Sequence, residues 1–334
     1  MIASAIDKLL ANACGSVFTA AVARVEYRGH LAFERAYGVT REDETSRPVF
    51  VDTRFDLASL TKLFVATLVL RDAAAGTIAL DEPLERAMTP RMLLAHTSGM
   101  NSGADYRILL ERNVKAFVAS EPLVATPGER VIYSDLGFIA LGMLLQRVHG
   151  ISLAALADAA FESPTLGFRP RASTRLEIPA TECDSWRGRV QGVVHDEKAY
   201  LMGGVAGHAG LFGTAADVAA LADVYLAPLC GRTPRSSIEL APALVREAVC
   251  EQAYDPVLRR GLGWALKTTD ENSCGARFSM ESFGHTGFVG TCVWADPRRD
   301  LCGVLLTNGV YFGRNDIRDL RAAFYDACVE MVVP

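Results

Sequence analysis

The chain has 334 residues, 50% of them apolar and 22% charged, with a formal net charge of −5. That is the composition of a folded globular protein with room for one large domain or two smaller ones, not of a disordered chain. The charge gives no electrostatic footprint for nucleic acid or an anionic membrane, and no window approaches the run of about 18 apolar residues that a transmembrane helix needs.

Residues 2–13 place Ile2, Ile6, Leu9 and Leu10 on one face and predict a helix. Asp7 and Lys8 interrupt the opening stretch, which reads as helix then strand rather than signal peptide. The expected location is therefore the cytoplasm, or the periplasm or exterior if a leader has been removed. Two strand-like runs around Arg28-Gly29 predict a hairpin, and a polar loop then leads to an apolar helix over residues 60–75, stopped by Gly76. Helical patterns separated by Pro/Gly/Ser loops fill the middle of the chain. Residues 164–213 read as irregular and end in a run carrying Gly203, Gly204, Gly207, Gly210 and Gly213. The last third returns to strands at "GLGWALKT", "GHTGFVGTCVWADP" and "LCGVLLTNGV", with a turn at "DPRRD". An amphipathic helix capped by Asn315 closes the chain.

Strands at both ends and helices between them predict an α+β fold. An antiparallel sheet domain, flanked by helices, is expected from residues 1–75 plus 240–334. A mainly helical domain over residues 76–239 is inserted into it, with the active site between the two. The eight cysteines show no C-x-x-C spacing and no histidine at zinc-ligand distance, so free thiols are expected and no metal or cofactor.

The chemistry centres on "FDLASLTKLFVA", where Ser59 and Lys62 stand three residues apart at the start of a helix. Positions i and i+3 share a face, so the two side chains can meet. A serine hydroxyl needs a base to become a nucleophile, and burial lowers a lysine's pKa toward that role. Tyr133 and Asp135, in "YSD", precede the helix "LGFIALGMLL", and His285, Thr286 and Gly287 open a strand-like run. Each element alone is compatible with a purely structural role. His96 is expected to be a structural histidine, and His195, Asp196 and Glu197 in "VHDEK" point in different directions, against a metal site.

In this order the three elements resemble the penicillin-recognising serine hydrolases, in the branch of class C β-lactamases, DD-peptidases and related esterases. "LLAHTSGM", "PGERVIYSDLGFIALG", "GGVAGHAGLF" and "LLTNGV" resemble the same branch. The resemblance implies a β-lactamase/transpeptidase-like fold and an acyl-enzyme on Ser59. Lys62 and Tyr133 would share the serine proton, and the backbone N–H groups of Ser59 and Phe288 would form the oxyanion hole. Asp135, His285, Thr286, Gly287 and Phe288 would face the substrate, a small molecule or short peptide. Asp196 or His208 would hold a neighbouring loop in shape.

Two departures stand out. Asp135 occupies a place where the family carries an amide, and its charge favours the ammonium form of Lys62. His285 stands where β-lactamases mostly carry lysine. With an ordinary pKa near 6.5 it would be mostly uncharged at pH 7 and charged at lower pH. The expected function is hydrolysis of esters or of amides of D-amino-acid type. A true class C-like β-lactamase and a penicillin-binding sensor without turnover are the alternatives.

Overall fold

The computed structural model describes residues 5–254 and 259–332. Helix α1 (Ala5–Ala13) buries Ile6 and Leu10, the i, i+4 pair of the expected face, while Ile2 lies outside the described residues. Strands β1 (Ala20–Tyr27) and β2 (His30–Gly38) form the expected hairpin. Arg28 and Gly29 both have positive φ, 52° and 76°, the turn geometry whose twist matches that of paired strands. A short strand β3 (Phe55–Asp56) runs into a single 3₁₀ turn and helix α2 (Thr61–Ala74), followed by Gly76 at φ 73°. Eleven of the fourteen α2 residues are buried, so this helix is surrounded by protein and has no true polar face.

The helical part follows with α3 (Pro90–Leu94), α4 (Val114–Ser120), α5 (Asp135–His149) and α6 (Leu153–Phe161). Thr89, Asn113, Ser134 and Ser152 cap these four helices by accepting from N–H groups of the first turn. The stretch expected to be irregular contains short elements: β4 (Gly167–Phe168), β5 (Cys183–Asp184), β6 (Gly188–Arg189), α7 (Glu197–Leu201) and β7 (Leu211–Gly213). Strand β7 pairs with both β3 and β4, which ties this stretch to the approach to Ser59. Helices α8 (Ala215–Leu229) and α9 (Pro242–Ala248) come next. The rest of the sheet then follows: β8 (Ala253–Tyr254), β9 (Arg259–Arg260), β10 (Ala265–Leu266), β11 (Phe283–Thr286), β12 (Cys292–Asp296) and β13 (Leu301–Thr307). Helix α10 (Arg318–Val332) is last. It starts later than expected, and the side chain that accepts its first N–H, from Arg318, is Asp316 at 2.8 Å, not Asn315.

Eight strands form one antiparallel sheet in the order β2-β1-β13-β12-β11-β10-β9-β8, so both ends of the chain build it, as the strand pattern predicts. Helices α1 and α10 cover one face, with Phe18, Trp294, Phe324 and Tyr325 between. Helix α8 covers the other and packs on β1, β12 and β13, with Tyr225 against Trp264 and Phe283. The expected boundary at residue 239 is therefore corrected: α8 belongs to the sheet. Its apolar pattern specifies a buried helix but carries no mark of which layer it covers. Helix α2 packs against α5 and α6 and joins the two parts. All eight cysteines are free thiols, and Cys274, Cys292, Cys302 and Cys328 are buried.

Asn308 locks the seam of the sheet. Its Oδ1 accepts from the Thr19 and Ala20 N–H groups at 3.0 and 2.9 Å, and its Nδ2 donates to Thr19 Oγ1 and Ala180 O at 2.8 and 2.7 Å. Each buried partner left unsatisfied costs about 1–3 kcal/mol. Asn308→Ala is expected to lower stability by about 3 kcal/mol, read as a lower urea midpoint at unchanged slope. A loss below about 0.5 kcal/mol would contradict this role.

Candidate active site

The approach to Ser59 is held from several sides. The buried carboxylate of Asp56, whose pKa burial pushes up, accepts from the Ala58 N–H at 2.8 Å and from the His195 N–H at 2.6 Å. Ala58 has φ 46°, a left-handed conformation that a residue with a side chain adopts at a cost and that surrounding contacts must hold. Beside it lies the end of β11. A Cβ on Gly287 would sit 2.1 Å from Thr291 Oγ1 and 2.9 Å from Leu57 O, so only glycine lets this strand end approach the serine turn. The Gly287 N–H donates to Thr291 O at 2.7 Å, and Arg321 Nη2 donates to Gly287 O at 2.8 Å. This packing brings Thr286, Gly287 and Phe288 to the same cleft as Ser59.

Lys62 is fully buried. Its Nζ donates to Ser59 Oγ at 2.9 Å and to His208 O at 3.3 Å, and lies 2.8 Å from Asp135 Oδ1. The i, i+3 geometry expected from the sequence is thus present. The two opposing effects expected from the sequence, burial and the Asp135 charge, both act on Lys62. Burial does oppose the ammonium, but the Asp135 carboxylate and Tyr133 outweigh it and hold Lys62 above the ordinary lysine range. Asp135 responds in the opposite sense: burial would raise its pKa, and Lys62, His208 and Lys198 together hold it below the ordinary carboxylate range.

Tyr133 is set by the residue that follows it. Ser134 caps α5 and donates its N–H to His96 Nδ1 at 3.0 Å, which places the Tyr133 ring 4.6 Å from His96 and 6.0 Å from His285. Lys62 Nζ lies 4.9 Å from the centre of this ring and the Arg260 guanidinium 5.2 Å from it. Burial, with Arg260, Lys62 and His285, keeps His96 neutral, and it acts as the structural histidine the sequence suggests.

His285 departs from expectation. Burial, then the charges of Arg260 and Lys62, push its pKa down to about 3, so it does not titrate near neutrality. Its Nδ1 lies 2.8 Å from Thr286 O. A carbonyl can only accept, so Nδ1 carries the proton and the buried Nε2 presents a lone pair.

The cleft between the two parts has a volume of about 1120 Å³, and Ser59, Tyr133, Asp135, His285 and Phe288 all line it. Phe288 is 56% exposed, stacked on His195 at 5.6 Å with the Arg314 guanidinium 5.2 Å from its ring. Arg314 in turn grips Glu182 with two bonds, at 2.8 and 2.6 Å, and Glu197 at 2.8 Å. "VHDEK" does not converge on a point. His195 pairs with Glu182 at 3.0 Å, Glu197 faces Arg314, and Asp196 caps α7 and takes His208 Nε2 at 2.7 Å. Atoms of Asp135, Asp196 and His208 do lie within 4.8 Å of one another. The ammonium groups of Lys62 and Lys198 already compensate the two carboxylates there, which makes the group an ion-paired ring rather than a cation cage. Two residues of the site were missed in the sequence, Lys198 and Arg260, and neither carries a motif that would have marked it.

A serine beside a buried lysine, with a tyrosine and a strand-borne His-Thr-Gly, lines one cleft as a candidate nucleophile–base arrangement. The Beta-lactamase family profile matches residues 5–327, and the chain belongs to that family of hydrolases. It is 28% identical to the N-acetylmuramyl-L-alanine amidase of Bacillus subtilis (strain 168), over 91% of this chain and 80% of that protein. It is 26% identical to a putative D-alanyl-D-alanine carboxypeptidase of Escherichia coli (strain K12), over 83% of this chain and 75% of that one. The fold superposes on a penicillin-binding protein homolog from Caulobacter crescentus with a TM-score of 0.75, at 18% identity, over 98% of this chain and 96% of that chain.

Asp135→Asn removes the charge that holds the proton on Lys62. The acidic limb of the kcat/KM profile is expected to move to lower pH by about one unit, since opposite charges this close shift a pKa by roughly 1–3 units. An unmoved limb in an active variant would show that Lys62 does not carry the titration.

Proposed function

We propose that this protein is a serine hydrolase that forms an acyl-enzyme on Ser59 and cleaves amide or ester bonds of short D-amino-acid-type substrates. The observation that carries the reading is the 2.9 Å contact between Lys62 Nζ and Ser59 Oγ inside a cleft also lined by Tyr133 and the His285–Phe288 strand end. The names of the amidase and carboxypeptidase relatives support the amide side of it.

In this reading Ser59 Oγ bonds to the substrate carbonyl carbon. Its proton passes to Lys62 in its deprotonated form, directly or through Tyr133, and then to the leaving amine or alkoxide. The carbonyl oxygen takes the displaced electron pair and rests against the N–H groups of Ser59 and Phe288; one such donor is worth about 3 kcal/mol of barrier. Water then attacks the acyl-enzyme by the same route in reverse. Lys62 starts as an ammonium, so the reactive fraction grows as pH rises, and activity is expected to climb on the alkaline side of neutrality.

A fluorophosphonate probe followed by peptide mass mapping tests the nucleophile. The expected result is one adduct, on Ser59, with Ser59→Ala inactive. An adduct on another serine, or full activity in the variant, removes the mechanism.

His285 bears on substrate choice. A neutral imidazole carries no charge to pull on a substrate carboxylate, whereas a lysine there would. Uncharged p-nitrophenyl esters are expected to be turned over faster than nitrocefin, and the ratio is expected to be the same at pH 7 and pH 5.5, because His285 is neutral at both. His285→Lys should shift the ratio toward nitrocefin. A wild type that strongly prefers nitrocefin supports instead the class C-like β-lactamase.

A further inference from the structure

The carboxylate of Asp135, bonded at 2.8 Å to the lysine that faces Ser59, is a handicap to a base, because it holds the proton in place. The structure shows what limits that effect. Asp135 Oδ1 lies 2.8 Å from Lys62 Nζ; its Oδ2 lies 3.3 Å from the Nζ of Lys198, which also donates to Asp196 Oδ2 at 3.0 Å. Asp196 Oδ1 takes His208 Nε2 at 2.7 Å, and the backbone carbonyl of His208 returns to Lys62 at 3.3 Å. The ring closes on itself with two ammonium groups, two carboxylates and the His208 imidazole.

Lys198 is placed for this on purpose-built ground. Asp196 caps α7 through the Ala199 N–H at 2.8 Å, which fixes the first turn and turns Lys198 toward the cleft, where its side chain is 11% exposed. The charged or titratable groups that face Lys62 and its carboxylate come from every neighbouring element. They are His96 after α3, Tyr133 and Asp135 before and on α5, Asp196 and Lys198 at α7, His208 before β7, Arg260 on β9 and His285 on β11. His285 is neutral, and the Arg260 guanidinium lies 5.2 Å from the centre of the Tyr133 ring. Among them, Lys198 is the cation that touches Asp135 from the side away from Lys62.

We infer that Lys198 is a positioning residue for the base: by engaging Oδ2 it keeps Asp135 from closing fully on Lys62 and cancels part of its charge, so that the Asp135–Lys198 pair stands in for one neutral side chain. This rests on the reading of Ser59 as nucleophile with Lys62 as its base. The alternative is that Lys198 only fastens α7 to α5, in which case its loss would lower stability and slow every step alike, with no change in pH dependence.

The test is the rate of Ser59 phosphonylation by a fluorophosphonate as a function of pH, read by intact mass, which needs no knowledge of the substrate. Wild type, Lys198→Met, Lys198→Arg, Asp135→Asn and the double variant Asp135→Asn/Lys198→Met are compared, with thermal midpoints recorded for each. Lys198→Met is expected to move the acidic limb up by about one pH unit and to slow labelling at pH 7 about tenfold, since uncompensated charges at this range shift a pKa by roughly 1–3 units. Lys198→Arg keeps the charge and should restore the limb. In the Asp135→Asn background the same methionine substitution should move the limb by less than half as much. If Lys198→Met does not fold, Lys198→Gln carries the same expectation. A limb that stays in place while Ser59 is still labelled overturns the inference, as does an equal shift in both backgrounds, or an arginine that does not restore it. Failure of wild type to label at Ser59 would overturn the underlying reading of the nucleophile instead.

Discussion

The ion pair between Lys62 and Asp135 sets the charge state on which the rest of this site depends. Lys62 lies at the start of a helix buried on almost every side, where an unpaired ammonium would be too costly to keep. Without a partner, burial would drive the lysine toward its neutral form. With Asp135 at 2.8 Å the balance reverses, and the resting lysine is a cation that donates to Ser59 Oγ. The same pair ties the start of α2 to the start of α5.

The backbone around the serine carries a second constraint. The left-handed turn at Ala58 and the missing side chain at Gly287 together bring the end of β11 against the turn that carries Ser59. Strain of this kind persists only where neighbours over-determine it. Here Asp56, Thr291 and Arg321 do so with hydrogen bonds to Ala58, Leu57 and Gly287. Phe288 is then clasped between His195 and Arg314 from the loop side of the cleft.

Much of this was legible in the sequence because it rests on short-range rules. The i, i+3 spacing puts Ser59 beside Lys62, "YSD" marks the corner where Tyr133 precedes a helix, and strand patterns at both ends foretell a sheet shared by the termini. What could not be read depends on distances across the fold. Lys198 follows two acidic residues at the start of a short helix and reads as a solvated charge. Arg260 sits in a two-residue strand with no pattern around it. The neutrality of His285 turns on its burial and on the cations within a few ångströms, and the layer that α8 covers is decided by packing, not by its own periodicity.

The central claim is that Lys62 rests as an ammonium because Asp135 holds it so. Five lysines, Lys8, Lys62, Lys115, Lys198 and Lys267, make its direct titration by NMR practical with selectively labelled lysine, assigned by single substitutions. The Lys62 signal is expected to titrate above the ordinary lysine value of about 10.4 in the wild type and to fall below its wild-type value in Asp135→Asn. A Lys62 that is already neutral at pH 7 in the wild type would contradict it.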